Sequence, residues 1–224
     1  MSSAATQNSR QRPGRQTRRG ADDSPEVKLS KFLSYVLRHG ASKEGLTLRD
    51  DGSILLSTLQ QHKKLQSTTF AQIKHIVDTN DKKRFTLFEE EANEVGSTRV
   101  WYIRATQGHS VDIKAPPLVL LTEETVPRHI IHGTTREKVP VIQKDGLSRM
   151  QRTHIHFATG LAGDQEVVSG MRKTSDAFIY IDFPRAMQDG IEFYVSENNV
   201  ILSKGLRDSG VIPAEYFSKV VYKY

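Results

Sequence analysis

One change of hydrophobic period, at a proline pair, limits what these 224 residues can fold into more than any other feature of the chain. Before Thr106 the apolar residues recur mostly at amphipathic-helix spacing, and after Pro117 they come in short β-rich runs. A helix is expected from Ser24-Pro25-Glu26, where a capping serine precedes proline at the first helical position and an acid in the first turn. Val27, Leu29, Phe32, Leu33, Val36 and Leu37 form its apolar side, and Gly40 ends it. Leu55 to His62 and Ser67 to Thr79 read as two more helices, the second with Phe70, Ile73, Ile76 and Val77 on one side. Arg84 to Phe88 and Val100 to Arg104 read as strands flanking the acidic, glycine-containing loop Glu89 to Thr98. Three short helices and a hairpin predict a winged-helix-like lobe over residues 24–115.

The segment Thr106 to Pro117, with Gly108 and Pro116-Pro117, reads as a loop and a lobe boundary. Strands are expected beyond it at Leu118 to Leu121, Ile130 to His132, His154 to Ala158, Ala177 to Phe183, Ile191 to Ser196, Asn199 to Leu202 and Lys219 to Tyr222. Thr135 to Lys144 and Gln165 to Gly170 suit short helices. The intervals are too short for regular crossover helices, so residues 116–224 should form a strand-rich α+β lobe rather than a doubly wound sheet.

Charge is unevenly spread. The net charge is +6, and residues 1–20 hold Arg10, Arg12, Arg15, Arg18 and Arg19 with no acid. Residues 1–23 lack the apolar bulk that would offset their ordering entropy and are expected to be a disordered basic tail. Such an arm suits a polyanion, because each phosphate it neutralises releases counterions, or it serves as a solubilising leader. No apolar run approaches the roughly 20 residues a membrane helix needs, and the first residues carry no hydrophobic signal. The expectation is an intracellular protein, cytoplasmic or nuclear, with no membrane partner, and the sequence sets no oligomeric state. The chain has no cysteine, which removes disulfides, thiol nucleophiles and thiolate metal sites.

Phosphate-binding loops ending in Gly-Lys-Ser/Thr, GxGxxG, GxSxG and HExxH are absent, so the nucleotide-hydrolase, dinucleotide-fold, serine-hydrolase and zincin readings have no starting point. What remains is histidine and arginine. Arg38-His39 ends the first helix, Arg84 begins a strand, Arg152 precedes His154-Ile155-His156, and Arg172 closes Ser169-Gly170-Met171-Arg172. In a strand, His154 and His156 project to one face. They could share a metal, though no third ligand stands at convincing spacing; the pair equally suits a cleft wall touching ribose or phosphate, or a packed sheet. Converging arginines point to an anionic ligand, because a planar guanidinium holds phosphate through two parallel hydrogen bonds. The residues by themselves lead to a phosphate-rich ligand in a cleft between two lobes, handled without metal or cysteine.

Six blocks carry a closer resemblance. Ser30 to His39, Asn80 to Phe85, Ala105 to Ser110, Ile131 to Thr134, Arg152 to His156 and Ser169 to Arg172, in this order, resemble the NAD-dependent tRNA 2′-phosphotransferase family over about residues 27–223. The resemblance implies an α+β fold with an N-terminal winged-helix-like lobe, a C-terminal ADP-ribosyltransferase-type lobe and an active site between them. It implies transfer of the splice-junction 2′-phosphate of ligated tRNA to NAD, a co-substrate, with no metal. The products would be 2′-hydroxyl RNA, ADP-ribose 1″,2″-cyclic phosphate and nicotinamide, formed by way of ADP-ribosylated RNA. By resemblance the catalytic set falls on Arg38, His39, Arg84 and Arg152. The NAD-binding positions fall on His132, Gly133, Thr134, His154, His156, Ser169, Gly170 and Arg172, and substrate contacts on Gln107 and His109. The chain departs from the family's pattern after Gly52, where Ser53 stands in place of a frequent aromatic residue. Gly210-Val211-Ile212-Pro213 occupies the place where many ADP-ribosyltransferases carry a glutamate; this family lacks that glutamate too.

Two other functions compete. An ADP-ribosyltransferase that caps terminal phosphates of RNA or DNA would use the same cations and stop after the first step. A non-catalytic RNA-binding protein would use the winged helix and basic arm but leave the histidine and Ser-Gly-x-Arg blocks unexplained.

Overall fold

The computed structural model describes residues 23–91, 99–161, 171–172 and 174–223. The arginine tail, the expected helix Gln165 to Gly170 and the tip of the expected loop Glu89 to Thr98 lie outside these residues.

Helix α1 (Pro25–Tyr35) starts as its sequence suggests: the Ser24 hydroxyl accepts from the Val27 amide at 3.3 Å, with Pro25 in the first turn. It then widens into a single π-turn, Val36–Gly40, before the chain leaves the helix. The expected second helix is shorter than its apolar pattern suggested. Ile54–Leu55 form strand β1, and helix α2 occupies only Leu56–Gln60. Helix α3 (Phe70–Asp78) opens on a reciprocal cap in which Thr69 and Gln72 satisfy each other's backbone amides. Strands β2 (Phe85–Glu91) and β3 (Arg99–Ala105) pair antiparallel from Phe85↔Ala105 to Glu91↔Arg99, longer than expected and taking in the first acids of the loop. Ile54↔Ile103 and Leu55↔Tyr102 attach β1, giving the order β1-β3-β2. That pairing explains why Leu55 is extended rather than helical. Leu33, Leu37, Leu59, Ile73 and Ile103 fill the core beneath this sheet.

The segment 106–117 contains no strand or helix, as expected of a loop, yet it is not an exposed linker. Thr106, Gln107 and His109 are buried. The Ser110 amide donates to the Arg38 carbonyl, and the His109 carbonyl accepts from the Thr153 amide, so the loop is stitched to both parts of the molecule.

After it come β4 (Leu118–Leu120), β5 (Ile131–Thr134), helix α4 (Val139–Asp145), β6 (Leu147–Ser148), β7 (Ile155–Phe157) and β8 (Ala177–Ile181). Helix α5 (Phe183–Gln188), β9 (Tyr194–Ser196), β10 (Ile201–Ser203), β11 (Val211–Ile212) and β12 (Phe217–Tyr222) complete the chain. The sheets run β4-β9-β10-β7, β12-β8-β5 and β11-β6, and every described strand pair is antiparallel. The class is α+β. Phe157, Phe193, Ile155, Ile179 and Ile201 belong to one core cluster in this part of the chain, and Ile212 is fully buried with them.

Several boundaries differ from expectation, as where β9 begins at Tyr194 rather than Ile191, and two of the shifts have clear local reasons. Phe183 opens α5 instead of closing a strand, because Asp182 caps the Arg185 amide and Pro184 suits the first turn. Asn199 belongs to a tight turn with φ +58 whose amide donates to the Ser196 carbonyl, so β10 begins only at Ile201. His154 stands just before β7 rather than within it.

Candidate active site

Arg38 and His39 lie in the π-turn, a geometry that often marks function because it turns side chains away from the regular helical face. The Arg38 side chain lies beside Gly108, whose φ of +88 suits glycine and where an added Cβ would stand 3.7 Å from the guanidinium. Arg38 Nε and Nη2 are buried and have no hydrogen-bond partner in the protein. These two nitrogens form one edge of the guanidinium fork, the edge that grips a phosphate or carboxylate through parallel N–H bonds. Burial first, then the positive charges of Arg84 and Arg152, lower the Arg38 pKa to about 10, leaving it charged at neutral pH. No acid is among the groups that shift it. The Nδ1 of His39 is 2.9 Å from the Ser110 hydroxyl, and burial, Arg38 and Arg152 lower its pKa.

Arg84 follows Lys83, a residue with φ +42, at the entry to β2. The Asn80 side-chain oxygen fixes it twice, accepting from its amide at 3.1 Å and its Nη1 at 3.2 Å. Arg152 comes from the turn before β7, where its amide donates to the Arg149 carbonyl at 3.2 Å. Burial of its head group and the charge of Arg172 lower its pKa. Arg172 is exposed, and its charge also bears on His132. Ser169 and Gly170 lie outside the described residues.

His132, His154 and His156 form a neutral, hydrogen-bonded wall, and beside it the buried Nε2 of His109 has no hydrogen-bond partner in the protein. His132 Nδ1 lies 2.9 Å from the His156 carbonyl, and His156 Nδ1 lies 2.9 Å from the His154 carbonyl. Both nitrogens therefore carry the proton. The Gln107 amide is 2.8 Å from His156 Nε2 and meets that lone pair when its NH₂ is turned toward it. His154 Nδ1 contacts the Thr153 hydroxyl at 2.9 Å. Burial is the first cause of every shift here, holding His156 at about 3 and His109 and His154 at about 4. Among the described residues, no three His, Asp or Glu stand together as a metal site. His154 is bonded to Thr153 through Nδ1 and faces the cleft described below, and His156 is engaged through both ring nitrogens. In β5, an added Cβ at Gly133 would come within 2.3 Å of Met171 Cγ and 2.9 Å of Ser175 Oγ, so the backbone there is closely covered.

Next to this wall lies an open cleft of about 700 Å³. Gln107, His109 and His154 line it together with Lys114, Arg149 and Lys204, whereas Arg38, Arg84 and Arg152 do not.

Residues 24–205 match the model of the family described as RNA 2'-phosphotransferase, Tpt1 / KptA family. The chain belongs to this family. A Schizosaccharomyces pombe relative is 46% identical over 194 residues, 87% of this chain and 51% of that protein, so the chain spans about half its length. The tRNA 2'-phosphotransferase 1 of Danio rerio is 42% identical over 200 residues, covering 88% of this chain and 86% of its own. The tRNA 2'-phosphotransferase of Saccharomyces cerevisiae is 39% identical over 210 residues, 90% of this chain and 86% of its own.

In this RNA 2'-phosphotransferase chain, sequence reasoning singled out the charged heads and passed over what aims them. Asn80 holds Arg84, and Ser110 holds His39. Both stood inside the blocks that carry the resemblance, so position in a motif was a signal. Gln107, expected at the substrate, lines the cleft and is also bonded to His156.

Proposed function

We propose that this chain is an NAD-dependent tRNA 2′-phosphotransferase that moves the splice-junction 2′-phosphate of ligated tRNA onto NAD. The observation that carries the reading is the buried Arg38 fork, unmet by any protein group and flanked by Arg84 and Arg152. A buried guanidinium edge beside two further cations, with no acid among the groups that shift it, is costly unless an anion joins it, and a phosphate fits the Nε–Nη2 edge. In this reading residues 24–115 are a winged-helix-like lobe, 116–224 an ADP-ribosyltransferase-type lobe and 1–23 a basic RNA-binding tail.

The pieces suit that chemistry. NAD, when bound, supplies the anomeric carbon that the phosphate attacks and the ribose hydroxyl that later receives the phosphorus. His132, Gly133, Thr134 and Arg172 would hold it, with the close backbone at Gly133 setting the wall of the pocket. A phosphate dianion is already a nucleophile, so Arg38, Arg84 and Arg152 need only bind it, orient it and offset its charge. His39, neutral at working pH, is fit to relay a proton to or from the RNA oxygen, and Ser110 sets its ring.

The test is incubation of a short RNA bearing an internal 2′-phosphate with NAD, resolving RNA and nucleotide products with and without excess EDTA. The expected products are 2′-hydroxyl RNA, nicotinamide and a cyclic phosphate of ADP-ribose, with turnover unchanged by chelator. ADP-ribosylated RNA as the end product would replace this reading with the phosphate-capping one, and RNA binding without nicotinamide release would make the chain a binding protein.

A further inference from the structure

The hairpin that carries Arg84 is contacted from outside its own part of the fold. The β9–β10 turn, Glu197-Asn198-Asn199, docks onto the hairpin that carries it. The Glu197 carboxylate accepts from Arg104 Nη2 at 2.6 Å, from Arg104 Nε at 3.3 Å and from the Thr86 hydroxyl at 2.8 Å. The third Arg104 nitrogen, Nη1, reaches Asp51 at 3.1 Å, so the guanidinium is fully engaged. Asn198, only 2% exposed, donates from its side-chain amide to the Lys82 carbonyl at 2.9 Å, and its oxygen accepts from the Ser196 hydroxyl at 2.9 Å.

The two clamps bracket Arg84 two residues before and two residues after it. The turn that makes them is stiff: Asn199 is left-handed, the Val200 carbonyl accepts from the Ser196 amide at 3.0 Å, and Ser196 Oγ accepts from the Val200 amide at 3.1 Å. Arg38 lies in the N-terminal part like Arg84, whereas Arg152 belongs to the C-terminal part, so their spacing depends on how the two parts are joined. We propose that Glu197 and Asn198 are positioning residues whose turn locks the Arg84 hairpin to the C-terminal sheet and so sets Arg84 against Arg152. The inference rests on the phosphotransferase reading for its kinetic arm alone.

The experiment compares wild type with Glu197→Gln and Asn198→Asp. The first keeps shape but removes the charge facing Arg104; the second keeps the acceptor for Ser196 but sets a carboxylate against the Lys82 carbonyl. The chain has no cysteine, so K43C and Q143C, at exposed positions on the two parts, take spin labels without competition. Dipolar distance distributions, thermal melts and the kcat and KM for NAD with 2′-phosphorylated RNA are measured on each. Folded variants should show a broadened inter-part distance and a kcat lower by about 10- to 100-fold, with KM for NAD little changed. If Asn198→Asp fails to fold, Glu197→Gln, at a half-exposed site, carries the test. A folded variant with wild-type kcat, or one with lowered kcat and an unchanged distance distribution, overturns the proposal. Should wild type fail to act on the RNA, the function falls, and the distance arm alone still decides whether the turn holds the two parts together.

Discussion

Arg38 remains charged in a place where proteins rarely leave a charge unmet, and this single side chain sets the sharpest expectation. Lysine there would keep the charge but lose the planar fork, so Arg38→Lys should bind RNA almost as well yet turn over about 100-fold more slowly. Single-turnover assays that separate nicotinamide release from 2′-hydroxyl RNA formation would show the loss; near-wild-type rates would mean that charge alone suffices. The histidine wall sets a second expectation. His109 and His154 titrate at about 4 and His156 at about 3 in the folded chain, against about 6.5 when unfolded. Between about pH 6.5 and 4 the unfolded state therefore takes up protons that the folded state refuses. Stability should be level in this respect above pH 7 and fall as pH drops through that window. Melting temperatures from pH 8 to 4.5 would trace it, and His154→Gln should flatten the slope.

At the scale of elements, the strand β5 and the π-turn illustrate how backbone, rather than side-chain identity, shapes the site. Gly133 lies in β5 where its chain packs against Met171 and Ser175, so even a methyl group must push them aside. Gly133→Ala should fold, since β5 is paired with β8 from Ile131↔Tyr180 to Thr134↔Ala177, but weaken NAD binding. An increase in KM for NAD of about 10-fold with kcat little changed is expected, the mark of lost ground-state binding. An unchanged KM would place NAD away from β5. The π-turn works in the other direction, letting Arg38 and His39 leave a helix whose neighbouring residues Leu33, Val36 and Leu37 are wholly buried.

Across the whole molecule, charge is unevenly divided along the sequence. Residues 1–22 contain five arginines and one acid, Asp22. Their deletion should weaken RNA binding and flatten its salt dependence by up to about one log–log unit per lost phosphate contact on duplex RNA, less on single strands. Turnover at saturating RNA and NAD should stay near wild type, because an arm that acts in encounter and ground-state binding does not change the chemical step. An unchanged salt slope would reduce the tail to a solubilising leader.

Local physics reaches a definite distance along this chain. The cap at Ser24, the proline after it, the 3.6-residue spacing in α1 and α3 and the β-rich runs after Pro117 depend on neighbours a few residues away, so the α+β class could be read without coordinates. The side chains proposed for catalysis were singled out for a related reason: each sits in a short contiguous block whose residue types answer one chemical need. Elsewhere, long-range pairing overrode propensity. β3 drew Leu55 out of a helix, and β10 waited for the Asn199 turn. Tertiary structure alone decided which polar groups face one another: Gln107 with His156, forty-nine residues apart, and Glu197 with Arg104, ninety-three residues apart. The period of a sequence reports which face of an element is apolar. The partner of a buried polar atom is set by desolvation and geometry between distant segments, which no local pattern encodes.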